Sequence, residues 1–131
     1  MEIRGLRTTR EGPIVKTAVT VDSRHLGEKP LWFSTTHEHS RHLCTERMDG
    51  FLVGMLFPAM QYGEDIHLRG TVSRKLLFNV NNYVVSLLRS FAPVCRYIRV
   101  TAEQTSNEPY RCTGVGTGFS GGVDSFCTVY D

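Results

Sequence analysis

The sequence has few cysteines and no long run of apolar residues. Its four cysteines are Cys44, Cys95, Cys112 and Cys127. They form no CxxC pair, which argues against a zinc ribbon and against a local redox motif. The longest uncharged apolar stretch, residues 51–60, is far shorter than the roughly 20 residues that span a bilayer, and an apolar secretory signal is also missing. We therefore expect reduced thiols, with Cys44 and Cys95 facing the core, a cytoplasmic location and no membrane partner.

A strong excess of one charge is missing as well. The 15 Lys and Arg and the 13 Asp and Glu residues leave a net charge of +2, which is too small to indicate a nucleic-acid binder. Arg4, Arg7 and Arg10 give the N-terminus a local basic bias, which a solvated strand explains better than a contact with tRNA. The length of 131 residues allows one hydrophobic core but not two complete domains.

Four segments have the composition or the alternation of β-strands. They are residues 14–21, 31–35, 66–68 and 97–103. The last of them alternates cleanly, with Ile98, Val100 and Ala102 on one face. A stretch with Gly, Lys and Pro joins the first two segments and predicts a hairpin turn.

Two further segments have the apolar spacing of amphipathic helices. In the first, residues 47–60, Pro58 predicts a kink or an early stop because proline lacks an N–H donor. Ser73 is the predicted N-cap of the second helix, which ends at Pro93. The apolar stripe of this second helix is Leu76, Leu77, Val80, Tyr83, Val84, Leu87, Leu88 and Phe91.

Both helical stripes have the period that burial requires, so we interpret them as core rather than as a ligand pocket. Leu52 and Leu87 are therefore predicted to be buried. Together the elements predict an α+β domain, a small mixed sheet of about four strands with two helices. We assign residues 1–104 to this domain. Residues 105–113, which begin with a polar stretch, are the predicted linker.

Three histidines lie close together at His37, His39 and His42. On a strand His37 and His39 share a face, and on a helix His42 pairs with Glu38, so neither geometry brings three ligands together. Arg41 takes the place of the second histidine of an HExxH motif. We interpret the segment as an exposed polar connection, with a metal site as the weaker alternative.

The most informative segment lies near the end of the sequence. It reads Phe119-Ser120-Gly121-Gly122-Val123-Asp124-Ser125. An apolar run, residues 115–119, leads into it, and the pattern predicts a strand, a tight turn and the first turn of a helix. The two glycines allow positive φ and close approach of an anion, and a helix N-terminus supplies free N–H groups.

The other side chains of this segment also suit an anion. Ser120 and Ser125 add hydroxyl donors at the rim of the turn. Asp124 can cap the new helix or hold a Mg²⁺ ion that bridges phosphates. The segment is therefore a candidate phosphate-binding loop.

Residues 120–125 resemble the SGGxDS signature of the PP-loop ATP pyrophosphatase superfamily. The superfamily includes the synthetase domains that make GMP, NAD and asparagine, the 7-cyano-7-deazaguanine synthases, and the tRNA thiolation and lysidine-forming enzymes. The resemblance covers residues 116–126 and implies that ATP is cleaved between its α and β phosphates, which gives an adenylated intermediate. It implies the following ligands for pyrophosphate: Ser120, Gly121, Gly122, Val123 and Ser125, with Asp124 near the Mg²⁺ ion.

The resemblance also implies that residues 114–131 are only the first strand and loop of an incomplete α/β nucleotide-binding domain. The intact enzyme would use ATP and Mg²⁺ to adenylate an acid, amide or base. This chain alone is expected to have no turnover, because one strand and one helical turn cannot enclose the nucleotide and the acceptor substrate.

Other motifs fit the same glycines less well. Residues 116–121 match GxGxxG, but no acid follows about 20 residues later, as a dinucleotide fold needs. Residues 118–122 match GxSxG, but every histidine precedes Ser120, contrary to the order of that fold. No lysine precedes Ser125, which excludes a Walker A loop. A purely structural glycine turn is the remaining alternative. The chain would then be a free-standing α+β interaction module, and a homo-oligomer is one assembly that such a module could form.

Overall fold

A five-stranded mixed sheet forms the base of the fold. The computed structural model describes residues 1–109. Its strands are β1 (Glu2–Glu11), β2 (Ile14–Ser23), β3 (Gly27–Thr36), β4 (Ile66–Ser73) and β5 (Val100–Ser106). They lie in the order β3-β2-β1-β4-β5, where β2 is antiparallel to β1 and β3, and β4 is parallel to β1 and β5. The predicted α+β class is confirmed, with one strand more than expected.

Hairpins build the antiparallel half of the sheet. Gly12, between β1 and β2, has a φ of 58°, and Gly27, at the start of β3, has a φ of 68°. Both values lie in the left-handed region that favours glycine. The buried residues of β2 include Val15, Thr17, Val19, Val21 and Ser23. This alternation is that of a strand with one face against the core.

The helices pack against the buried face of the sheet. A 3-10 helix (His37–His42) follows β3, and α1 (Asp49–Tyr62) precedes β4. A longer helical stretch between β4 and β5 consists of α2 (Arg74–Asn79), a π-helical segment (Val80–Val84) and α3 (Val85–Phe91). Within residues 1–109, no helix is long and apolar enough to cross a membrane.

The core between the sheet and the helices contains most of the residues that the sequence patterns selected. Its fully enclosed side chains include Ile3, Val19, Leu52, Met60, Leu68 and Val80. The predicted burial of Leu52 is thus confirmed. Cys95 is buried as predicted, whereas Cys44 is only half-buried. The predicted cap is confirmed too, because the Ser73 hydroxyl accepts a hydrogen bond from the Leu76 N–H at 3.2 Å.

Helix α1 continues through Pro58, so the predicted early stop is wrong. The helix ends four residues later at Tyr62, where Gly63 has a φ of 69° and forms a left-handed C-cap. A proline inside a helix costs about 3 kcal/mol. Buried residues on both sides of it, among them Met55 and Met60, anchor the helix to the sheet and offset that loss.

All four predicted strands have bounds other than those predicted, and β2 and β3 run from Ile14 to Ser23 and from Gly27 to Thr36. Strand β4 extends to Ser73, and β5 begins at Val100 and ends at Ser106, two residues inside the predicted linker. Residues 114–131, which were assigned to a nucleotide-binding domain, lie outside the described residues.

The predicted burial of Leu87 is wrong, because the second helix is not a regular α-helix. In a π-helical segment the backbone hydrogen bonds join residues five positions apart rather than four. Residues on the same face of the helix are therefore spaced five positions apart there. Val80 and Val85 are therefore both buried, whereas Tyr83, Leu87 and Phe91 rotate outward and are mostly exposed. The apolar stripe was predicted from the constant spacing of a regular α-helix, and the π-helical segment interrupts that spacing.

Candidate functional site

The candidate phosphate-binding loop, residues 120–125, lies outside the described residues, as do Cys112 and Cys127. The chain that leads to it leaves the sheet at the end of β5. Glu108 is held there by the largely buried Arg47, whose Nη2 donates to the Glu108 carbonyl oxygen at 2.6 Å. The last of the described residues therefore lie near the carboxyl ends of the parallel strands β4 and β5.

A buried carboxylate, Glu64, is the most distinctive ionisable group of the described residues. It follows Gly63, the C-cap of α1, and its side chain is fully enclosed. Its Oε1 accepts hydrogen bonds from the Ser23 hydroxyl at 2.9 Å, from His25 Nδ1 at 2.6 Å and from the His25 backbone N–H at 3.2 Å. Its Oε2 lies 3.1 Å from the Met1 ammonium, a charge contact rather than a well-directed hydrogen bond.

These partners decide the charge of Glu64. Burial by itself raises the pKa of Glu64, because it penalises the charged form. Hydrogen bonds from His25 and Ser23 and the contact with the Met1 ammonium outweigh burial and lower this pKa from 4.5 to about 2. Glu64 is therefore a carboxylate at neutral pH, and its charge is balanced inside the fold.

The Glu64 cluster orients an imidazole but offers no free nucleophile. The carboxylate fixes the His25 ring through Nδ1, and the ring stacks on Tyr62 with centroids 4.9 Å apart. The Ser23 hydroxyl donates to Glu64 and accepts the backbone N–H groups of His25 and Leu26, both at 3.2 Å. The contacts join the β2–β3 turn to the end of α1, which is a structural role.

The histidine segment forms an exposed 3-10 helix, as the polar-connection interpretation expected. His39 lies 3.3 Å from Glu38, and the rings of His39 and His42 are 6.4 Å apart. Among residues 1–109, no group of three or more His, Cys, Asp or Glu side chains is arranged to hold a metal ion.

Of the three arginines that give β1 its basic bias, Arg4 is paired with acids, whereas Arg7 and Arg10 donate to the backbone carbonyls of Gly5 and Gly12. Arg4 contacts Glu2, Asp22 and Glu28 at 3.2, 3.3 and 2.6 Å. Arg69 of β4 contacts Glu2 at 2.7 Å, and this hydrogen bond is the main reason that the pKa of Glu2 is lowered. The exposed face of the sheet is therefore a surface of mixed charge.

A row of large apolar side chains faces solvent along the second helical stretch. Phe78, Tyr83, Leu87 and Phe91 are 55%, 61%, 56% and 80% exposed. The rings of Phe78 and Tyr83 contact each other with centroids 6.0 Å apart. We call these four residues the helical ridge. Contiguous exposed apolar side chains of this kind mark interaction surfaces.

Comparison with known proteins adds no relative. No family model, no curated protein and no solved structure matches the chain.

Proposed function

We propose that this chain supplies the accessory α+β domain and the pyrophosphate-binding loop of an ATP-dependent adenylating enzyme. The observation that carries the proposal is the Ser-Gly-Gly-Val-Asp-Ser sequence of residues 120–125, which combines two glycines, two hydroxyls and one carboxylate in an anion-binding pattern. A cytoplasmic location, Mg²⁺ as the partner of ATP and an acid, amide or base as acceptor belong to the same proposal.

The order of the segments is consistent with this assignment. The described α+β domain has its last strand, β5, ending at Ser106, and residues 120–125 follow it in the sequence. The resemblance implies that this loop follows a strand of its own, within residues 115–119, so the sheet of the described domain does not have to hold the nucleotide.

The proposal is tested by nucleotide binding to the native gene product, whose intact mass is measured first. The probe is Mg²⁺ with an ATP analogue that has a methylene group between the α and β phosphates, because no acceptor substrate is then needed. We expect the Ser120→Ala, Asp124→Ala and Gly121→Val variants to lose binding, which is followed by calorimetry. Ser34→Ala removes an exposed hydroxyl elsewhere and serves as the control for Ser120→Ala.

Two results decide the matter. Loss of binding in the loop variants alone supports the proposal, and release of AMP and pyrophosphate by a longer native product would extend it. A native product that ends near Asp131 and binds no analogue would refute it.

The helical ridge favours a second function, that of an interaction module. In that case the ridge is the contact surface for a partner protein, and the glycine-rich segment is a structural turn. Leu87→Ser and Phe91→Ser, made together, should then dissociate the native assembly in sedimentation velocity without unfolding the domain, because both side chains are exposed. An unchanged sedimentation coefficient would remove this candidate.

A further inference from the structure

A small cavity lies between the sheet and the start of α1. It has a volume of about 200 Å³, and its walls include Thr17 of β2, Phe33 of β3, Leu43, and Gly50 and Phe51 of α1. The rings of Phe33 and Phe51 are 5.0 Å apart and inclined at 45°. An apolar cavity of about 150 Å³ is sufficient to bind benzene, so this one has room for a single aromatic ring with a substituent.

Thr17 gives the cavity wall one polar group. The Thr17 side chain is almost fully buried, and its hydroxyl has no hydrogen-bond partner among residues 1–109. An unsatisfied buried hydroxyl costs about 1–3 kcal/mol, and such groups are rare in native proteins unless water or a ligand completes them. The hydroxyl oxygen itself has almost no exposed surface, so a ligand reaches it only after rotation about χ1 exchanges the hydroxyl and the methyl group of Thr17 at the wall.

Gly50 keeps the cavity open. Gly50 is the second residue of α1, in its first turn, and no positive φ there requires glycine. A Cβ atom there would meet the Phe33 ring at 3.7 Å, an ordinary contact, so alanine would fit without strain. The glycine therefore preserves space, which is the role expected in the wall of a binding site.

A second, more polar cavity adjoins the first. It has a volume of about 580 Å³, shares Leu43, Cys44 and Arg47 with the apolar cavity, and is also lined by Glu108 and Pro109. The two cavities meet at these three residues, one being mainly apolar and the other more polar. This division suits a ligand with a flat apolar body and a polar end.

We propose that the apolar cavity binds a small aromatic molecule of one ring, whose carbonyl or ring nitrogen accepts a hydrogen bond from the Thr17 hydroxyl. The ring lies against Phe33 and Phe51, and the space left by Gly50 accommodates it. The site is independent of the candidate phosphate-binding loop, and it exists whether or not the protein uses ATP.

The test uses benzamide, which has a ring and a carbonyl, and toluene, which has a ring alone. Each is titrated into the isotope-labelled 131-residue chain and followed by two-dimensional NMR. We expect saturable shifts at Thr17, Gly50 and Phe51 with both probes, and tighter binding of benzamide. Thr17→Val should weaken benzamide about tenfold, the upper range for one neutral hydrogen bond, and leave toluene unchanged. Thr17→Ser should restore benzamide binding.

Gly50→Ala and Gly54→Ala form a matched pair on α1. Both add one methyl group near the Phe33 ring, at 3.7 and 3.9 Å, but only Gly50 lines the cavity. Gly50→Ala should weaken both probes about tenfold, whereas Gly54→Ala should change neither. The pair keeps the test decisive if Thr17→Val fails to fold.

Three results would overturn the proposal. The first is the absence of saturable shifts at the cavity up to the solubility limit of benzamide. The second is equal benzamide affinity of the wild type and Thr17→Val, which would show that the hydroxyl is not used. The third is an equal effect of the two alanine substitutions, which would place the probes elsewhere on α1.

Discussion

Replacement of Glu64 by glutamine tests whether the buried carboxylate stabilises the fold. The pKa of Glu64 is lowered from 4.5 to about 2 in the folded protein. A group whose folded pKa is lowered contributes stability that is complete above pH 4.5 and is lost as the pH falls towards 2. At about 1.36 kcal/mol for each pH unit, this difference corresponds to about 3 kcal/mol of unfolding free energy at pH 7.

Urea unfolding of the wild type and Glu64→Gln across the acid range measures this contribution. At pH 7 the variant should be less stable by about 3–5 kcal/mol, because the Met1 ammonium is left buried without its carboxylate. Between pH 7 and pH 3 the wild type should lose about 2 kcal/mol that the variant does not lose, since at pH 3 Glu64 is almost fully protonated in the unfolded chain but still mostly ionised in the folded protein. The gap between the two stability curves should therefore narrow as the pH falls.

Glu28→Gln is the matched control. Glu28 also contacts a cation, Arg4 at 2.6 Å, but its side chain is 62% exposed. Exposed ion pairs contribute about 0–1 kcal/mol, so this variant should remain close to the wild type at every pH. Parallel stability curves for the wild type and Glu64→Gln would refute the assignment of a stabilising buried charge.

Two further predictions concern the helical layer. Leu52→Ala should lower the unfolding free energy by about 2–5 kcal/mol in urea, because Leu52 is fully buried, whereas Leu87→Ala should change it by less than about 0.5 kcal/mol; equal losses would contradict the outward rotation of Leu87. Asn81 accepts a hydrogen bond from the Val100 N–H at 2.9 Å and donates to the Val100 carbonyl at 3.0 Å. Asn81→Ala should therefore cost about 1–3 kcal/mol and speed hydrogen exchange at the Val100 amide, and an unchanged exchange rate would show that this link is not formed.

Much of the fold was accessible from local patterns. The alternation in β2 and the capping role of Ser73 are properties of short stretches, and both are found where the pattern predicted them. The α+β class also followed from the order of strand and helix patterns. These features depend on residues close in sequence, whose spacing decides which face of an element is apolar.

The candidate phosphate-binding loop is likewise a product of sequence alone. Residues 120–125 place glycines, hydroxyls and a carboxylate within six consecutive positions. A motif of this length needs no tertiary contact to be recognised, and its chemistry follows from the residue types. The adenylation activity stays a prediction that the nucleotide-binding experiment decides.

What the sequence by itself determined is therefore the class of the domain and most of its core, whereas its anion-binding motif stays a prediction. Only the tertiary structure decided which way Leu87 faces, because the π-helical segment changes the helical period without a sequence signal. The charge of Glu64 and the cavity at Thr17 are likewise tertiary. Glu64 meets Ser23 across 41 positions of sequence, and Thr17 and Gly50 line one cavity from a strand and a helix. Local spacing cannot encode such pairs, because they exist only after the helices have packed on the sheet.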